Sequence, residues 1–123
     1  MTDRELLEAA AKAAGFGAPE SGAVCWTESE YPPRSGKHGA LWNYVGYLDT
    51  AQLWNPLTDD GDALRLAVRL GIAVSCRNGN AQATYPLADG RFFAPCDEPA
   101  GEDPWAATRR VIVRAAAEIG NAR

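Results

Sequence analysis

With 123 residues, 46% of them hydrophobic and 23% charged, the chain has material for one globular core and too little for two. Its net charge of −4 weighs against a nucleic-acid partner, because displacing phosphate counterions takes basic surface. No apolar run approaches the roughly 20 residues that cross a bilayer, and the start, MTDRELLEAAAKAAG, reads as a charged amphipathic helix and not as a signal peptide.

Cys25, Cys76 and Cys96 form no CxxC pair and have one histidine, His38, for company. That pattern points to reduced thiols in a cytoplasm and away from a zinc site, and no metal or cofactor is expected.

The first helix starts at Thr2 or Asp3, where Thr2 and Glu5 have capping-box spacing. Leu6, Leu7, Ala10, Ala11 and Ala14 share one face, and Gly15 ends it. Ala23–Thr27 reads as a short strand and 28–39, with Pro32-Pro33 and Ser35-Gly36, as an irregular loop. Residues 41–48, with Trp42, Tyr44 and Tyr47, suit a strand or a packed extended segment. The whole of 18–53 is thus an aromatic-rich insertion whose path the pattern leaves open.

The stretch WNPLTDDGDALRLAVRLGI, 54–72, encodes a second helix. Thr58 or Asp59 caps it, and Asp59, Asp60 and Asp62 complement the dipole of its first turn. Ala63, Leu66, Ala67 and Leu70 form the expected buried stripe, widened by Leu64 and Val68; Arg65 and Arg69 share the opposite face, and Gly71 closes the helix.

Ile72–Arg77 reads as a strand, Asn78-Gly79 as a tight hairpin turn and Gln82–Tyr85 as the returning strand. Asp89-Gly90 makes a second turn into a third strand, Arg91–Ala94, and 95–101 reads as a linker. Asp103 caps the last helix and Pro104 takes its first position. Its buried face is read as Trp105, Thr108, Ile112, Ala115 and Ile119 with Val111, ending at Gly120. The expected architecture is α+β: a three-stranded antiparallel sheet between helices (α-β-β-β-α), preceded by an N-terminal helix and the insertion, in a single domain of 1–123.

The segments ELLEAAAKAAG, WNPLTDDGDALRLAVRLGI and DPWAATRRVIVRAAAEIG resemble those of a group of small uncharacterised proteins from tailed phages and prophages of proteobacteria. That group in turn is similar to the phage α-β-α (ABA) sandwich domain. The resemblance covers the first helix and residues 54–121, and nothing is carried over for 18–53. It implies phage origin and action in the cytoplasm of an infected bacterium. It implies no activity.

Candidate sites divide by chemistry. Asp59, Asp60 and Asp62, with Asn55 and Thr58, could bind a divalent cation, but the spacing lacks a calcium-loop pattern and helix capping accounts for the carboxylates. Arg109, Arg110 and Arg114, or Arg65 and Arg69, could clamp a phosphate or carboxylate; solvated helix faces with weak ion pairs are the plainer account. The order α-β-β-β-α also brings double-stranded-RNA-binding domains to mind. Those carry lysines at the start of the last helix, where this chain has Gly101-Glu102-Asp103. His38, with Cys25 or Ser35 as nucleophile, is the one enzymatic option, and no nucleophile elbow, P-loop or dinucleotide turn accompanies it.

The aromatics of the insertion remain, since Trp and Tyr are enriched where interfaces form. The resulting expectation is a non-catalytic protein-binding module whose surface combines Trp42, Tyr44 and Trp54 with Asn55 and Asp59, its partner a host or phage protein. The alternative is a binder that sequesters a small nucleotide-like ligand with Arg109, Arg110 and the tryptophans. A concave pocket of arginines and aromatic faces would favour the ligand; a flat exposed aromatic patch would favour a protein partner, or a twofold homodimer.

Overall fold

The computed structural model describes residues 1–16, 24–44, 51–86 and 92–122. Their order is α1 (Asp3–Ala13), β1 (Cys25–Glu30), β2 (His38–Tyr44), β3 (Ala51–Trp54), α2 (Asp60–Leu70), β4 (Ala73–Arg77), β5 (Asn80–Pro86), β6 (Phe92–Pro99) and α3 (Pro104–Asn121). The class is α+β, with two three-stranded antiparallel sheets ordered β1-β2-β3 and β4-β5-β6. The second sheet, flanked by α2 and α3 in sequence, is the expected α-β-β-β-α unit. The described part of the aromatic insertion, with Trp54, forms the first sheet, in which Leu41 lies opposite Trp54 and Trp42 opposite Leu53.

Local signals set the helix ends. Thr2 Oγ1 accepts from the Glu5 amide at 3.1 Å, Asp59 Oδ2 from that of Asp62 at 2.8 Å, and Asp103 Oδ1 from that of Ala106 at 3.0 Å. Each relieves one of the unpaired amides that open a helix. Gly71 closes α2 at φ +69, a conformation cheap for glycine. Asn78 and Gly79, at φ +56 and +74, turn β4 into β5 as expected of this pair. The proposed Asp89-Gly90 turn lies outside the described residues.

Three boundaries differ from the sequence reading. The supposed linker 95–101 is largely β6, which pairs Ala83 with Cys96 and Asn80 with Pro99. Its prolines are tolerated because β6 is an edge strand. The 28–39 loop is shorter than expected, since β1 runs to Glu30 and β2 begins at His38. Gly120 does not terminate α3, which continues to Asn121. It is buried, and a Cβ there would strike the backbone of Ala9 in α1, so the glycine serves close helix packing.

The hub is α3. It packs on α1, α2, β4, β5 and β6, and Val111, Ile112, Val113, Ala115, Ala116 and Ala117 are all buried. A helix buried over most of its circumference, with a stripe of Arg110, Arg114 and Glu118 left to solvent, belongs in the middle of a core. Asp3 meets Arg110 while Ala9 and Ala13 lie against Gly120, so α1 and α3 run in the same direction. In β5, Ala81, Ala83 and Tyr85 alternate inward. Leu41 of β2 and Trp54 of β3 join the same buried cluster, so both sheets share one core.

Candidate functional site

The residues expected to form one exposed surface are dispersed and mostly engaged in building the fold. Trp54 is 7% exposed and sets its ring edge-on to Phe16, with 5.1 Å between centroids. Trp42 is half-buried in β2, and Tyr44 ends that strand opposite Ala51; the Tyr44 side chain lies outside the described residues.

Asn55 is buried and ties three segments together. Its Nδ2 donates to the Gly39 carbonyl at the start of β2, its Oδ1 accepts from the Leu57 amide, and its own amide donates to Asp62 Oδ2. Asp59 is the α2 cap.

Arg109, Arg110 and Arg114 are likewise paired. Arg109 is buried, with Nη1 on Asp60 at 2.6 Å and Nε on the Leu57 carbonyl at 2.9 Å. It clamps α3 to the start of α2 and is not free to take an anion. Arg110 reaches Asp3 at 3.0 Å, and Arg114 reaches Glu98.

Each carboxylate of the acidic cluster therefore has a protein partner, since Asp62 holds Arg65 at 2.7 Å. Among the described residues no group of three or more His, Cys, Asp or Glu is placed to hold a metal ion.

His38 and Cys25 are not brought together. His38 pairs with Glu30 and Cys25 with Trp42, so four residues of strand separate them, about 13 Å at the usual rise. His38 Nδ1 lies 3.3 Å from the Glu28 carbonyl, and Ser35 Oγ accepts from the Lys37 amide.

The surface that stands out was read as core. Leu64, Val68 and Trp105 are 64%, 74% and 66% exposed, and Val74 is 38% exposed. Leu64, Val74 and Trp105 line one groove of about 590 Å³ between α2, β4 and the start of α3, with Cys76 and Ile112 also in its wall. Val68 continues the row one turn beyond Leu64. The buried Arg109 and its partner Asp60 lie in the same wall.

Two errors hid this groove. At about 100° per residue, Leu64 and Val68 form a second stripe, turned well away from Ala63, Leu66, Ala67 and Leu70, and α3 covers only the first. Trp105 sits in the opening turn of α3 and is left exposed there. The signal was available: α2 carries more apolar width than one neighbouring helix covers.

The groove borders an open sheet edge. Among the described residues β4 pairs only with β5, and four of its five residues, Ala73, Val74, Cys76 and Arg77, are exposed. It carries no proline or lysine to discourage pairing, and its one charged residue, Arg77, stands at its end. Val74 and Cys76 share the face toward the groove, and Cys76 Sγ lies 3.4 Å from Thr108 Oγ1 of α3.

On the opposite side of α2 lies a second cavity, of about 450 Å³, walled by Phe16, Tyr31, Asn43, Trp54, Arg65 and Arg69 among others. Burial, followed by the Asp62 and Asp59 charges and a hydrogen bond to Asp62, pushes the Tyr31 phenol up to about 12. Burial likewise raises the Cys96 thiol, which donates to the Val111 carbonyl.

No known protein family, curated protein or solved structure matches the chain. Among the described residues no helix is long and apolar enough to cross a membrane.

Proposed function

We propose that the protein is a non-catalytic protein-binding module that takes an extended, apolar segment of a partner protein into the groove between α2, β4 and α3. One observation carries the reading. Of the five large hydrophobic side chains most exposed among the described residues, four (Leu64, Val68, Val74 and Trp105) gather at this groove and its continuation along α2. Contiguous apolar surface of this kind is costly in water and is retained where something covers it.

The open edge of β4 selects the form of that cover. An added strand satisfies the outward amides and carbonyls of β4 and sets alternate side chains into the groove. Trp105 supplies the rigid aromatic anchor that dominates such interfaces. The resemblance of the helix motifs to those of small phage proteins makes a phage or host protein, met in the bacterial cytoplasm, the first class of partner to supply the segment.

The test is selection of a displayed library of random peptides on the wild-type protein, counter-screened on a Leu64→Glu, Trp105→Asp double variant. Both positions are exposed, so the variant keeps its fold, checked by circular dichroism. Enriched sequences should alternate apolar and polar residues and bind the variant at least tenfold more weakly. No enrichment, or equal binding to both forms, overturns the proposal. So does a concentration-dependent dimer that the double variant abolishes, since that assigns the groove to a second copy.

A further inference from the structure

We infer that the segment added to β4 carries an aspartate or glutamate on its outward face, where Arg77 receives the carboxylate and fixes the register. This assignment rests on the proposal that an extended segment occupies the groove. It adds a charge that the apolar contacts alone leave open.

A strand has two faces, and β4 separates them by chemistry. Val74 and Cys76 face α3 and the groove, while Ala73, Ser75 and Arg77 face the other side of the sheet. On that side Arg77 lies opposite Asn80 and Ser75 opposite Gln82, with Asp97 of β6 beyond Gln82. The outer face is therefore polar, and an added strand lays every second side chain along it.

Arg77 has a charge to offer. The arginines of the three helices each hold a carboxylate or, for Arg69, rest on Phe16. Among the described residues Arg77 makes no ion pair and no ring contact, and its side chain is exposed. Asp97 lines the same shallow cavity as Arg77 but accepts from Gln82 Nε2 at 2.9 Å.

A charge pointing inward from an edge strand blocks pairing. Arg77 points outward from the last position, so it leaves β4 open and selects among the segments that can pair there. Opposite charges on neighbouring strands attract and like charges repel. The two faces also divide the control of register. A slip of one residue turns the segment's apolar set outward, and the groove rejects it. A slip of two keeps the faces, and the Arg77 contact tells those registers apart.

Selection of one displayed random-peptide library in parallel on the wild type, Arg77→Glu and Lys37→Glu tests the assignment. Lys37 is exposed between β1 and β2, so Lys37→Glu makes the same change in net charge away from β4. Both substituted positions are exposed, and circular dichroism checks the fold. The net charge of −4 repels acidic peptides at long range, so an acid favoured at one position marks a local contact. The wild type and Lys37→Glu should enrich alternating peptides with Asp or Glu at one polar position. Arg77→Glu should enrich Lys or Arg there. Exchanging that acid for lysine in a selected peptide should weaken binding to the wild type about fivefold, the scale of cross-strand charge pairs, and strengthen binding to Arg77→Glu. Alternating peptides with no acidic position, or the same preference in Arg77→Glu as in the wild type, overturn the assignment and leave the groove proposal standing. Failure to enrich any peptide on any of the three proteins overturns both.

Discussion

Asp62 shows how much of the local architecture rests on one carboxylate. One oxygen accepts from the Asn55 amide, which fixes the turn into α2, and the other from Arg65. The carboxylate is buried, so removing it strands donors that water reaches poorly. Asp62→Ala should therefore cost about 1.5–3 kcal/mol, the range for hydrogen bonds to charged groups, read from urea unfolding midpoints. Asp62 also bears on Tyr31. Raising that phenol from 10.0 to about 12 means that the folded protein favours the protonated form. The associated stability is complete below pH 10 and is lost as pH climbs from 10 toward 12. Thermal melts across this window should show a steeper alkaline decline in the wild type than in Tyr31→Phe. Equal slopes would place the Tyr31 phenol in ordinary solvent.

At the scale of elements, the parts legible in the sequence are those set within a few residues of chain. The caps at Thr2, Asp59 and Asp103, the left-handed Gly71 and the Asn78-Gly79 turn all satisfy or release backbone groups locally. What was misread depends on neighbours distant in sequence. Leu64 and Val68 look like core until the position of α3 is known. The 95–101 segment looks like a linker until β5 lies beside it. Gly120 looks like a stop until Ala9 presses against it. That last contact makes a sharp prediction. Gly120→Ala adds a methyl where the α1 backbone already sits, and overpacking of this kind should cost about 1–3 kcal/mol. Ordinarily alanine would favour a helix over glycine. A neutral or stabilising result in a thermal melt would show that α1 is not held close to α3 at this point.

At the scale of the molecule, α3 organises the core and α2 organises the surfaces. Three faces of α2 do three jobs: Ala63, Leu66 and Ala67 enter the core, Leu64 and Val68 flank the groove, and Arg65 and Arg69 line the cavity. The site residues read from the sequence were chosen for chemical type, and type does not distinguish a tryptophan that packs on Phe16 from one that faces solvent. Hence Trp54 was singled out and Trp105 was assigned to the core. One shared core also has a consequence for unfolding. Leu41 of the first sheet is fully buried in the cluster that contains α3, so Leu41→Ala should cost about 2–5 kcal/mol. The loss should appear as a single cooperative transition by fluorescence and circular dichroism together. Separate transitions would mean that the first sheet unfolds on its own.

The most direct measurement on the binding groove uses its own thiol. Cys76 is exposed in the groove wall, Cys25 is exposed on the first sheet, and Cys96 is buried. Alkylation rates of Cys76 and Cys25 can be followed by mass spectrometry with and without a saturating peptide from the library selection. The account predicts that Cys76 is slowed at least tenfold while Cys25, the internal reference, keeps its rate. An unchanged Cys76 rate with the peptide bound would contradict it, because the segment would then be seated elsewhere on the protein.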